Sequence, residues 1–224
     1  MTVPTDADVA KTVARALLRA GCVSLKADEP FRLPSGWTSP VYMDCRRLIS
    51  FPAIRRKIVS LGVDLLRARG CLDGVASLAG GETSGIALAA WFAETLDLPL
   101  QYVRKKPVGR SQIEGVMKAG ERVLLIDDVM AGGRSAAKFC RALVAAGAIV
   151  QDVFVIFDYG TFPTRDVLGA IGLRAHSLAT WADVVAAARE DDTFKTQALV
   201  EIEAFLRDPA AWSEAHGGIA STAG

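Results

Sequence analysis

The chain has 224 residues, 51% of them apolar, with 26 basic against 25 acidic side chains and a formal net charge of +1. That is enough apolar material for one substantial core, and too even a balance to make a broad basic field for nucleic acid. Cys22, Cys45, Cys71 and Cys140 are widely separated with no C-x-x-C, which argues against zinc and against a disulfide scaffold and favours a reducing compartment. Charges interrupt the N-terminus, and the longest apolar run, Ile86 to Ala93, is too short to cross a bilayer, so the chain reads as cytoplasmic.

In chain order, the pattern predicts a helix over 6–20, capped by Thr5 or Asp6 and stopped by Gly21, then short extended pieces around Val23 and Val41 that form a small hood. From Pro52 onward helices alternate with apolar strands: helix 52–69, strand 74–78, helix 84–96, strands 100–104 and 122–126, helix 134–146 and strand 149–157. Such alternation implies an α/β fold with a mostly parallel central sheet flanked by helices, and ligands at the strands' carboxyl ends. A strand over 172–177 and helices over 180–189 and 193–206 are expected to pack on the sheet edge. The expected organisation is a single domain, residues 1–224: an N-terminal helix and hood (1–50), an α/β core (51–207) and a C-terminal tail (208–224), frayed from Gly217 to Gly224.

The most informative stretch is Val123-Leu-Leu-Ile-Asp127-Asp128-Val-Met130-Ala131-Gly132-Gly133-Arg134-Ser135. A buried strand runs into two acids, and a glycine-rich turn then opens a helix whose first N–H groups can receive a phosphate. Carboxylates there accept hydrogen bonds from vicinal ribose hydroxyls or hold Mg²⁺ through water, and they repel a triphosphate laid on them. No Gly-Lys-Ser/Thr follows and no G-x-G-x-x-G is present, so this is neither a P-loop nor a dinucleotide fingerprint. An ordinary strand-to-helix turn with a capping serine has the same composition. Ala79-Gly80-Gly81-Glu82-Thr83-Ser84-Gly85 offers a second such turn, again readable as a plain βα loop. Arg104-Lys105-Lys106 ends a strand; three cations in a row are commonly a solvated turn, but at a carboxyl strand end they can neutralise a departing anion. Ser35-Gly36-Trp-Thr-Ser-Pro40 is a turn by composition, and Tyr42 is either a core aromatic or a planar gripping surface. His176 and His216 match no triad or metal spacing and read as structural or surface residues.

The Asp127–Ser135 stretch resembles the phosphoribosyl pyrophosphate (PRPP) motif of the type I phosphoribosyltransferase family. The Phe31–Asp44, Gly80–Ile86, Tyr102–Pro107 and Gln112–Gly115 segments resemble the orotate-using members of that family, together spanning most of residues 22–160. The resemblance implies transfer of the phosphoribosyl group of PRPP to a ring nitrogen of orotate, releasing pyrophosphate and giving orotidine 5′-monophosphate, a step of pyrimidine (UMP) biosynthesis. It implies Asp127 and Asp128 on the ribose hydroxyls, Ala131, Gly132, Gly133, Arg134 and Ser135 on the 5′-phosphate, and Gly81, Glu82, Thr83 and Ser84 on the pyrophosphate. Arg104, Lys105, Lys106 and Arg110 supply cations to the leaving group, and Ser35, Gly36 and Tyr42 belong to the hood over the base. Mg²⁺ is the implied cofactor, carried by PRPP and reaching Asp127 or Asp128 through water. The implied assembly is a homodimer, with a flexible loop after the basic triplet closing over the partner's site.

The chain departs from the family pattern at several positions. Between the basic triplet and Gln112 stand only Pro107-Val108-Gly109-Arg110-Ser111, about three residues fewer than the resemblance predicts. Val108 occupies the place of a catalytic lysine, leaving Arg110 as the loop's cation, and Met130 and Ala131 stand where threonines are usual. Ser84 and Pro34 replace lysines of many members, and Tyr159 an arginine of some; Arg32 and Arg165 are the remaining candidates for the orotate carboxylate. Two alternatives stay open: a phosphoribosyltransferase for another base, and a catalytically weak paralogue that binds PRPP or nucleotides for regulation.

Overall fold

The computed structural model describes residues 5–26, 29–33, 36–109, 111–161 and 164–220. Its elements in order are α1 (Asp6–Arg19), β1 (Val23–Leu25), β2 (Phe31–Arg32), β3 (Thr38–Ser39), β4 (Val41–Met43), a 3₁₀ helix (Cys45–Ser50) and α2 (Pro52–Ala68). There follow β5 (Val75–Gly81), α3 (Ser84–Leu96), β6 (Leu100–Val108), β7 (Ser111–Glu114), β8 (Arg122–Met130), α4 (Arg134–Ala145) and β9 (Ile149–Asp158). The chain continues through α5 (Thr164–Gly169), β10 (Arg174–Thr180), α6 (Trp181–Glu190), α7 (Thr196–Arg207) and α8 (Pro209–Ala215). Among the described residues, no helix is long and apolar enough to cross a membrane.

A six-stranded sheet, ordered β10-β9-β8-β5-β6-β7, carries the fold, parallel throughout except for the antiparallel β6–β7 edge pair. Strand geometry sends successive side chains to opposite faces, and β8 uses this fully because both faces are covered. Leu124 and Ile126 join the core formed with α1, α2, α3, α6 and α7, whereas Val123 and Leu125 join the core under α4. From β5 the chain passes through α3 to β6, and from β8 it passes through α4 to β9, in the opposite direction along the sheet. The strand order therefore reverses between β5 and β8, and a crevice opens outside their carboxyl ends.

Capping sets where the helices begin. Thr5 and Asp8 form a reciprocal capping box on α1, and Pro52 opens α2 where a missing N–H costs nothing. The hood is built from two short antiparallel pairs, β1–β4 and β2–β3. It is tied to the core where the Met43 N–H donates to the Tyr159 hydroxyl at the end of β9, 3.2 Å away.

The frayed tail expected from Gly217 is corrected as far as residue 220. Residues 209–215 are helical, Ser213 is fully buried, and the Ile219 N–H donates to the Gly36 carbonyl. Small residues suit this segment because it lies flat against the hood; residues 221–224 lie outside the described ones.

Candidate active site

A cleft of about 550 Å³ opens at the strand-order reversal, between the sheet and the hood. Asp127, Asp128 and Ser84 line it from the sheet side, residues 131–135 from the turn before α4, and Leu33, Trp37, Tyr42, Met43, Asp44 and Arg46 from the hood. Residues drawn from distant parts of the chain thus meet in one place, which a set of unrelated turns would not do.

Packing at the two strand ends demands glycine. A Cβ at Gly80 would stand 2.7 Å from the Gly85 carbonyl oxygen, one at Gly81 2.5 Å from the Phe139 ring, and one at Gly85 2.7 Å from the Ile126 carbonyl oxygen. The Gly80–Gly85 loop is therefore pressed against β8 and α4, and this brings Ser84 to the acids. By contrast, a Cβ on Gly132 would meet nothing within 4 Å, so the turn before α4 has open space at its backbone. Gly133 has φ 73° at the N-cap of α4, a conformation costly for any side chain, and the first N–H groups of that helix have no partner within it.

The acids lie within β8, which runs on to Met130, four residues past the expected end at 126. Asp127 is 8% exposed and Asp128 9%. Burial first, and then the neighbouring Asp128 charge, push the Asp127 carboxyl well above its ordinary range, although Lys105 pulls it partly back. Burial likewise raises Asp128, opposed by a hydrogen bond from the Ser84 hydroxyl and by the Val129 N–H at 2.8 Å. Two carboxyl groups held in this state are poised to accept donors or to face a cation, and they do not fit a simple capping role.

The remaining expected site residues lie outside the cleft lining. The Glu82 carboxylate accepts the Lys105 N–H at 2.6 Å, and the Glu82–Thr83 peptide, which precedes α3, is cis. Arg104 is ion-paired with Glu114 across the β6–β7 hairpin at 2.8 Å, and Lys106 is exposed further along β6. Gly36, at φ 89°, packs under Ile219. Ser35 and Arg110 lie outside the described residues, as does the Arg165 side chain.

The loop after the basic triplet is not an open excursion. β6 and β7 pair at Tyr102–Glu114 and Val103–Ile113 and, after a register shift, again at Val108–Ser111, and Gly109 beside the tip has φ 62°. Val108, at the hairpin tip, is 60% exposed.

Arg32, a candidate for the orotate carboxylate, instead donates to the Gly217 carbonyl at 3.1 Å. Arg46 was not anticipated; it lines the cleft, bonded to Asp44 at 2.6 Å and to the Tyr42 hydroxyl at 3.4 Å. Its position two residues after Asp44 in a turn-rich segment was the available signal.

At the opposite, amino-terminal end of the strands, the fold unites Cys71, Asp152 and His176 despite their separation in sequence. His176 Nε2 is 2.8 Å from Asp152 Oδ1 and 3.3 Å from Cys71 Sγ. Burial works to raise Asp152, but hydrogen bonds from Arg174, His176 and Arg122 outweigh it and hold the carboxyl below its ordinary value. With Arg69 also on His176, the cluster has no net negative charge to draw in a cation, and burial keeps the Cys71 thiol protonated. It is an ion-pair network around the buried Asp152, at the end of the strands remote from the cleft.

No family model matches the chain. It is 47% identical over 218 residues to the orotate phosphoribosyltransferase of Dinoroseobacter shibae, covering 95% of this chain and 96% of that protein. Among solved structures it is similar to orotate phosphoribosyltransferase from Aeropyrum pernix, with a TM-score of 0.68 and 31% identity over 80% of this chain and 99% of that one. Leishmania donovani UMP synthase matches with a TM-score of 0.80 and 27% identity over 88% of this chain, which spans 42% of that longer protein.

Proposed function

The chain belongs to the orotate phosphoribosyltransferase family, and from that premise we infer that its cleft transfers the phosphoribosyl group of PRPP to orotate, giving orotidine 5′-monophosphate and pyrophosphate. The observation that carries this for the chain itself is the meeting, in one cleft, of two buried acids, an open glycine turn at a helix start and an aromatic hood.

The roles follow from the chemistry. PRPP's 5′-phosphate fits the turn 131–135, where the helix N-terminus of α4 and the Ser135 hydroxyl favour an anion. Asp127 and Asp128 accept the ribose hydroxyls and face the positive charge that builds at the anomeric carbon. Two adjacent carboxyl groups at the cleft are hard oxygen donors, so these residues fit Mg²⁺ brought in by PRPP and held through water. When bound, Mg²⁺ supplies charge neutralisation to the pyrophosphate. In this reading Lys105 and Lys106, with Ser84 and the 81–83 backbone, add to that neutralisation. The base lies under Trp37 and Tyr42, and Arg46 offers a cation to the orotate carboxylate. The hood also excludes water that would hydrolyse PRPP. No covalent nucleophile is needed.

A homodimer in the cytoplasm completes this reading, with the β6–β7 hairpin facing the partner's cleft. The exposed Val108 at the hairpin tip favours a second reading, in which PRPP binds but turns over slowly. Thermal unfolding tests the binding step common to both. PRPP with Mg²⁺ at about 100 times its Kd is expected to add about 2.7 kcal/mol, a rise of roughly 5–10 °C in Tm for a chain of this size. An unchanged Tm at millimolar PRPP contradicts both readings.

A further inference from the structure

Residues 208–220 strap the hood to the core. Ser213 and Thr38 are 0% and 1% exposed. The Thr38 N–H donates to Ser213 Oγ at 2.9 Å, and the Thr38 hydroxyl donates to the Ser213 carbonyl, also at 2.9 Å. Gly218 passes so close that a Cβ there would stand 2.4 Å from Ser213 Oγ and 2.6 Å from the Thr38 nitrogen. The Arg32 guanidinium and the Gly36 carbonyl hold Gly217 and Ile219, each at 3.1 Å. The strap's own base is firm: Asp208 caps α8, Trp212 meets Phe205 of α7 edge-on, and the His216 ring stacks on Trp212 at 3.7 Å.

The β2–β3 pair that receives these bonds is only two residues long on each strand, too short to hold its own shape. Yet Leu33 and Trp37, which flank its turn, line the cleft. Directional buried hydrogen bonds specify a position where apolar contact alone tolerates sliding. We propose that the C-terminal segment sets the position of the hood over the planar base, with Thr38 and Ser213 as positioning residues that govern affinity for orotate and leave that for PRPP alone. The inference rests on the reading of the cleft given above. PRPP, in the reading above, draws its contacts from β8, the α4 turn, the 81–84 loop and Lys105–Lys106, whereas the strap's hydrogen bonds go to Arg32, Gly36 and Thr38 of the hood, so the two substrates are separable.

The test compares steady-state KM values for both substrates, with Tm, in Thr38→Val, Thr38→Ser and a chain lacking residues 217–224. Thr38→Val keeps the side chain's shape and removes its hydroxyl, and is expected to raise the orotate KM about 2- to 10-fold with PRPP KM unchanged. Thr38→Ser should restore the parental value, and loss of 217–224 should act like Thr38→Val. If Thr38→Val fails to fold, the shortened chain, which keeps Thr38 and Ser213 and loses the bonds from Arg32 to Gly217 and from Ile219 to Gly36, carries the test. Equal rises in both KM values, or no rise in either, overturn the inference and leave the cleft's assignment standing. A parent that does not turn over orotate overturns that assignment and takes this inference with it.

Discussion

Replacing Asp127 and Asp128 together by asparagine is expected to cut orotate turnover at least tenfold while leaving the ligand-free protein as stable as the parent, or more so, at neutral pH. Tenfold corresponds to about 1.4 kcal/mol of transition-state stabilisation, a modest demand on two charges facing a developing cation. The stability half follows from the sign of the pKa shifts. Both carboxyl groups are raised above the ordinary 3.8, chiefly by burial. A raised pKa in the folded state contributes stability that is fully present below the unfolded value, and that is lost as pH rises through the folded one. At neutral pH the pair therefore weighs against the fold, and asparagine removes that burden while its amide oxygen still accepts the backbone N–H groups of positions 128 and 129. Thermal unfolding from pH 4 to pH 8 should show parent and double variant converging in acid and the variant gaining on the parent toward neutrality. A pair that serves only as a cap or strut would instead lose stability on substitution, with parental kcat and KM, and that outcome sinks the assignment.

Lengthening the β6–β7 turn with a glycine-containing segment and placing a lysine at position 108 is expected to raise kcat by roughly 10- to 100-fold, the range that one charge-assisted hydrogen bond of ~1.5–3 kcal/mol supplies. Val108 pairs with Ser111, three positions further along the chain, so the hairpin's tip has little reach. Arg104 cannot readily stand in, since Glu114 and Tyr102 hold it along the hairpin. Val108→Lys alone should accelerate less, because charge without reach leaves the ammonium on the hairpin. PRPP affinity should change less than kcat if the cation acts on the departing pyrophosphate. Steady-state kinetics of the two variants decide, with dimerisation followed by light scattering. An unchanged kcat in the lengthened variant, from a parent already as fast as a typical enzyme at about 10 s⁻¹, shows that another cation suffices.

The sequence made the alternation of helices and strands plain, because apolar periodicity and capping signals act locally. Helices α2, α3 and α4 begin at Pro52, Ser84 and Arg134, at the expected positions. Strand ends were less legible. β5 and β8 run on through Gly80–Gly81 and Asp127–Met130, where the backbone ladder continues although two glycines and two acids interrupt the apolar run that marks the strand. The antiparallel β7 lacks a hydrophobic run of its own and exists through pairing with β6. The acids and the glycine turn are adjacent in sequence and could be found together. The hood over the base was legible through the family resemblance, but not which of its side chains turn inward: Trp37 and Arg46 reach the cleft only through tertiary docking, and the bond from Thr38 to Ser213 joins positions 175 residues apart.

The measurement that bears most directly on the account is PRPP-dependent loss of orotate absorbance with Mg²⁺ present, run beside uracil and hypoxanthine. The cleft, the hood and the family together predict consumption of orotate in preference to both other bases, with none when PRPP is omitted. Equal or exclusive use of uracil or hypoxanthine would contradict the assignment of the base, and PRPP binding with no turnover of any of the three would contradict the assignment of the protein as an enzyme.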